Sequence, residues 1–163
     1  MKNLLVLIPL IALLLLSACT PEVDLVAEKA KVKIVVDQLE EAFESEDIDL
    51  YGSIIAKDPD MVNLGTDVGE RIVGWKTLME QYRQQNASYE NTELTVSDQV
   101  IKLNATGNTA WFSEIVDWEV DSQGEHYSVK GSRLTGVLEK RDGKWLVVQM
   151  HTSVPVSGQA AAY

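Results

Sequence analysis

At about Tyr89 the hydrophobic pattern of this chain changes period. Upstream, apolar residues recur every three or four positions; downstream they alternate with polar ones in runs rich in Val, Ile, Thr, Trp and Tyr. The first spacing belongs to helices with one buried face and the second to half-buried strands. Three turn sequences, Asn104-Ala105-Thr106-Gly107-Asn108, Asp121-Ser122-Gln123-Gly124 and Arg141-Asp142-Gly143, divide the second half into strands at about 92–103, 109–120, 126–140 and 144–155. Strands joined by so few residues pair antiparallel. Helices first and a meander after predict an α+β domain, with the helices covering one face of one sheet.

The upstream half divides into three helices and two short strands. The first helix is expected over 23–44, with Val32, Val35, Val36, Leu39, Ala42 and Phe43 as its apolar stripe and Lys29, Lys33, Asp37, Glu40 and Glu44 on the other side. Asp47 is placed to cap a shorter helix that buries Ile48, Tyr51, Ile54 and Ile55 and is closed by Asp58-Pro59-Asp60. Short strands at 61–64 and 70–73 flank Gly65 to Gly69. A third helix over 74–85 carries Trp75, Leu78, Met79 and Tyr82 at helical spacing.

The N-terminus reads as an address. Met1-Lys2-Asn3, an unbroken apolar run from Leu4 to Leu16, and Ser17-Ala18-Cys19 have the layout of a secretory signal, expected over residues 1–18. The run is shorter than the roughly 20 residues a spanning helix needs. Leu16-Ser17-Ala18-Cys19 resembles the bacterial lipobox, which implies cleavage before Cys19 and acylation of its thiol. Residues 19–22 then form a lipidated tether, 23–155 the folded domain and 156–163 a flexible tail. Cys19 is the sole cysteine, so no disulfide within the chain is available and stability must come from the core. The net charge of −11 includes Lys2, so loss of the leader leaves −12. Such acidity opposes binding to nucleic acid or adhesion to anionic lipid by charge. The expected location is the cell envelope: the periplasmic side of the outer membrane where there are two membranes, otherwise the outer face of the cell.

Several phrases, in order, carry a family likeness: Ala42-Phe43 with Glu46-Asp47, Pro59-Asp60-Met61-Val62, Gly74-Trp75, Asn108-Thr109-Ala110-Trp111, Arg133-Leu134-Thr135-Gly136-Val137-Leu138, Gly143-Lys144-Trp145-Leu146-Val147 and His151-Thr152-Ser153. Together they resemble the NTF2-like superfamily in its SnoaL-like branch. The resemblance implies a cystatin-like cone, a curved antiparallel sheet wrapped round the N-terminal helices. This fold hosts many unrelated functions and by itself transmits no activity.

Alternation sorts the last two strands into faces. Trp145, Val147, Gln149, His151 and Ser153 form one set on the last strand, and Val129, Gly131, Arg133, Thr135 and Val137 form one on the strand before. By resemblance to the family, Arg133, Thr135, Gln149, His151 and Ser153 are expected to face the cavity, and Leu134, Leu138, Leu146 and Val148 the convex side, where they would suit a dimer. His151 is a candidate for proton transfer because imidazole titrates near neutral pH, or else a hydrogen-bonded pocket filler. Arg133 is a candidate anion fork, or a partner for Glu114 or Asp117. On strand 109–120 strict alternation groups Trp111, Ser113 and Asp117 against Glu114 and Trp118, unless a bulge intervenes. Asp117 in an apolar cavity would be a second proton-transfer group. Trp111 and Tyr82 are candidate ligand contacts, with Trp75 and Trp145 expected in the core. Neither His126 nor His151 has metal-ligand spacing, and phosphate-loop and nucleophile-elbow motifs are lacking. No metal or cofactor is expected.

Two functional classes follow. One is a tethered module that binds a small apolar or acidic ligand, or forms a homodimer through its sheet. The other is a small-molecule lyase, isomerase or hydrolase using His151 and Asp117. The Tyr/Asp/Asp arrangement of ketosteroid isomerase is not visible in the chain.

Overall fold

The computed structural model describes residues 23–158. The leader, Cys19 and the final part of the tail lie outside them. Three helices, α1 (Leu25–Glu44), α2 (Ile48–Ile54) and α3 (Trp75–Asn86), accompany six strands: β1 (Val62–Leu64), β2 (Arg71–Val73), β3 (Tyr89–Leu103), β4 (Thr109–Ser122), β5 (Glu125–Arg141) and β6 (Lys144–Ser153). The helix starts are chemically fixed. Asp24 accepts from the backbone N–H groups of Val26 and Ala27, and Asp47 accepts from that of Leu50.

The strands form one sheet in the order β2-β1-β6-β5-β4-β3. The expected meander β3-β4-β5-β6 is present and antiparallel throughout. Beyond it, the β1–β2 hairpin adds to the edge of β6 by a parallel pairing, Asn63 opposite Met150, which makes the sheet mixed. The sheet curves at register shifts. On β5, Gly131 has φ +70° and lies at the shift between Val116 and Trp118 of the facing strand. On β6, Val148 is the extra residue, because Val137 pairs with Gln149 whereas Leu138 pairs with Val147. Gly136 makes room for the Phe112 ring across the strands: a Cβ there would lie 2.5 Å from that ring and 2.8 Å from the Gln149 carbonyl oxygen.

α1 lies in the concavity. Val32, Val36, Leu39 and Ala42 are wholly enclosed and pack with Tyr51, Ile55, Phe112, Val116, Leu138 and Val147 into one core. The stripe is wider than its apolar members. Glu28, Val32, Val36 and Glu40 form a row at spacing four along the helix, and the two glutamates are also buried, at 6% and 8% exposure. Glu40 was expected on the outer side; four residues after Val36 and three before Phe43, it falls within the stripe.

Glu28 fastens the start of the helix to the far end of the sheet. Its carboxylate accepts from Lys31 at 2.7 Å, from Lys140 at 2.8 Å and from the Trp145 indole N–H at 2.9 Å. The Lys140 and Lys31 ammonium groups, and after them the indole, hold its pKa down at about 2, against an ordinary 4.5. A depressed folded-state pKa means that this contribution to stability is complete above the ordinary value and is lost as pH falls from there. Glu28→Gln is therefore expected to lower unfolding free energy by about 1 to 3 kcal/mol at neutral pH. In urea denaturation at a series of pH values, the gap between native and variant should close as pH falls through the carboxylate range; a constant gap would contradict the clip.

Candidate functional site

The core does not fill the cone. Between the C-terminal half of α1, α2, α3 and the concave sheet lies a cavity of about 270 Å³. Its floor is apolar, with Leu39, Ile72, Leu78, Val116, Leu134 and Met150, and the exposed Thr66, Asp67 and Val154 lie at its edge. The β1–β2 hairpin contributes a wall, with Glu70 holding its loop by accepting from the Asp67 backbone N–H at 3.0 Å.

One side of the cavity is aromatic. Tyr51 and Tyr82 stack with ring centres 3.9 Å apart, and Phe43 presents its ring edgewise to Tyr51, Tyr82 and Trp118 at 5.5, 5.0 and 5.4 Å. Each ring arrives from a different element: Phe43 from α1, Tyr51 from α2, Tyr82 from α3 and Trp118 from β4. Tyr82 is fixed by donating its hydroxyl to the Ala42 carbonyl at 2.6 Å. Burial pushes the Tyr51 and Tyr82 hydroxyls up, so both stay neutral at physiological pH.

Beside the aromatic group is a pair of carboxyls. Glu40, one helical turn before Phe43, lines the cavity and comes within hydrogen-bonding reach of Glu114, which is 2% exposed on β4. Gln99 donates to Glu114 Oε2 at 2.9 Å, leaving Glu40 Oε1 and Glu114 Oε1 without a protein donor. Desolvation, then the nearness of Glu114, pushes the Glu40 pKa well above the carboxylate range. Glu40 therefore keeps its proton at physiological pH. Among the described residues, no Lys, Arg or His forms an ion pair with either glutamate, and none lines the cavity. Nor do the described residues contain a group of three or more His, Cys, Asp and Glu side chains arranged to hold a metal ion.

Residues 32–157 match the sequence profile of the SnoaL-like domain, well over half of the chain. The chain belongs to the SnoaL-like family. No curated protein matches it. Solved structures share the fold of this SnoaL-like domain. A nuclear transport factor 2-like superfamily protein of Salmonella enterica is 17% identical, with TM-score 0.74, over 84% of this chain and 98% of its own. A Novosphingobium aromaticivorans protein that carries a provisional scytalone dehydratase name is 10% identical, with TM-score 0.71, over 80% and 86%. A cystatin-like protein of Nostoc punctiforme is 16% identical, with TM-score 0.62, over 79% and 92%. At these identities the likeness carries the fold.

The SnoaL-like domain brings the residues singled out from the sequence together, but on the other side of the sheet. Arg133 pairs with Ser153, Thr135 with His151 and Val137 with Gln149, so Arg133, Gln149, His151 and Ser153 do share a face. It is the outer face, where Arg133 and His151 are exposed. The concave face takes the alternate set: Ser132, Leu134, Gly136 and Leu138 of β5 are all buried, and Met150 and Thr152 of β6 line the cavity. On β6 the Val148 bulge is responsible, since Trp145 and Val147 point inward and strict alternation would carry Gln149 and His151 in with them. Leu134 and Leu138 accordingly belong to the interior and not to a convex dimer surface.

On β4 strict alternation holds. Trp111, 47% exposed, and Asp117 are outward, whereas Glu114 and Trp118 point inward. Asp117 accepts from the Gly131 backbone N–H at 2.8 Å and lies 3.6 Å from Lys130, so it secures the β5 bulge and does not reach an apolar cavity. Arg133 pairs with neither Glu114 nor Asp117. Of the expected contacts Tyr82 alone lines the cavity.

A carboxyl whose folded-state pKa is raised adds stability below its ordinary value, and that contribution is lost as pH rises through the raised one. Glu40→Gln should therefore gain stability relative to the native chain between about pH 5 and about pH 8 in denaturant titrations. A difference independent of pH would mean that Glu40 is an ordinary ionised carboxylate.

Proposed function

We propose that this chain is a lipid-anchored SnoaL-like module of the cell envelope that binds a small, largely apolar molecule in its cone. The observation carrying the reading is the cavity: it lies beside the core, it is lined by five aromatic residues from five elements, and it keeps a Glu40 carboxyl oxygen with no protein donor. A core that needed only stability would fill such a space with side chains. Pockets that hold ligands combine apolar walls with a few placed polar groups, and this one does.

The anchor rests on the sequence around Cys19. Several acyl chains on one residue hold a protein to a bilayer more firmly than the marginal affinity of a single chain, and the acidic domain adds no electrostatic attraction to anionic lipid. The lining also narrows the ligand. With Glu40, Asp67 and Glu70 around the space and no cation, an acidic ligand is disfavoured. Proton transfer, if this cavity performs any, falls to Glu40 and not to His151 or Asp117.

Two measurements test the reading. Native mass spectrometry of the chain purified from its own membranes should show a bound small molecule that is lost in Leu134→Trp, which fills the floor; identical spectra, with neither protein carrying extra mass, would oppose it. In detergent phase separation the native chain should enter the detergent phase and Cys19→Ser the aqueous phase. Equal partition of the two would remove the lipid.

A further inference from the structure

We propose that the ligand of this cavity is a small organic cation, its ammonium group set against the Glu40 carboxyl and its apolar body against the aromatic side formed by Phe43, Tyr51, Tyr82 and Trp118. The inference rests on the cavity being a binding site and names the chemistry it selects.

Two glutamates on one row of α1 are buried to nearly the same degree and have opposite surroundings. Glu28 is met by two ammonium groups and an indole N–H. Among the described residues Glu40 faces a second carboxyl and no cation, and that neighbour accepts from the neutral amide of Gln99. A buried carboxyl with an oxygen left without a donor is costly and persists where something outside the chain supplies the partner. The supplier reaches Glu40, more than nine-tenths buried, through the cavity that it lines, and a cation suits a lining that holds Glu40, Asp67 and Glu70 and no Lys, Arg or His.

The aromatic group fits the same ligand class. A cation beside the faces of Tyr and Trp rings is attracted by their quadrupoles, more strongly where water is excluded. Asp67 and Glu70 at the entrance add negative potential on the way in. Anions find no donor of positive charge in the lining.

The proton balance follows. An incoming ammonium brings its own N–H donors and one positive charge to the protonated Glu40 carboxyl, which gives its proton to solvent, so binding releases up to one proton per ligand and leaves a carboxylate–ammonium pair. The groups around the pair are Glu114 from β4, neutral Gln99 from β3, Tyr51 from α2 and Tyr82 from α3 across the same cavity, and Asp37 on α1 itself, which is already paired with Lys33. None is a cation that would compete with the ligand. Affinity for a cation should therefore rise with pH across the neutral range.

The test is isothermal titration calorimetry of the detergent-solubilised full chain with three probes that share one ring: benzylamine, benzyl alcohol and benzoate. Benzylamine is expected to bind at least about tenfold more tightly than benzyl alcohol, with benzoate weakest. Measured in two buffers of different ionisation enthalpy, it should release a proton that benzyl alcohol does not. Glu40→Gln, which preserves shape, should abolish the preference and the proton release while leaving benzyl alcohol within about twofold; Glu114→Gln supplies the same comparison if the first variant folds poorly. If benzyl alcohol binds as well as benzylamine, or no proton is released, the cation is overturned and the cavity survives as a binding site. If no probe binds, both readings fall.

Discussion

The fold depends on one contact surface: a single face of α1 laid in the hollow of a sheet that would otherwise be open. Val32 and Val36 are wholly enclosed there, and the sheet must bend to enclose them. Bending a sheet of long strands takes defects, supplied by Gly131 and Val148 and by two register shifts on β3, together with a missing side chain at Gly136, where Phe112 crosses. Helix and curvature thus require each other. Without the helix the concave face would be bare, and without the bulges the strands would run straight past it.

The same row of helix positions shows how burial alone does not determine what a carboxyl does. At position 28 three donors converge and the charge is held as part of the framework. At position 40 the donors are absent and a second carboxyl takes their place. One end of α1 is closed chemistry, with every bond made within the chain. The other is open chemistry, with bonds left to make. Stability and binding are segregated along a single helix.

Much of the architecture was legible before the structure. The helix order, the Asp47 cap and three of the hairpin turns follow from period and turn chemistry, and the SnoaL-like phrases run in the order the sheet uses them. The site was less so, for a specific reason. Alternation assigns residues to two sets but does not say which set faces inward, and the resemblance pointed to the polar set of β5. The apolar content of Ser132, Leu134, Gly136 and Leu138 was the better guide, because the interior excludes an unpaired arginine more strongly than any likeness includes one. Val148 is a different matter, since nothing in Leu146-Val147-Val148-Gln149 distinguishes a bulge from a regular strand. Glu40 was readable in principle: a charged residue inside a helical stripe is the sign of a buried, unusual carboxyl.

The direction of α1 sets the orientation of the whole molecule. Its first residues abut the turns that close the narrow end, with Val23 against Gly107 and Glu28 against Lys140 and Trp145. The cavity begins only at Leu39, near the other end of a helix about 30 Å long. Val23 therefore sits at the end of the domain that is filled by side chains, and the hollow part lies most of a helix length away from it.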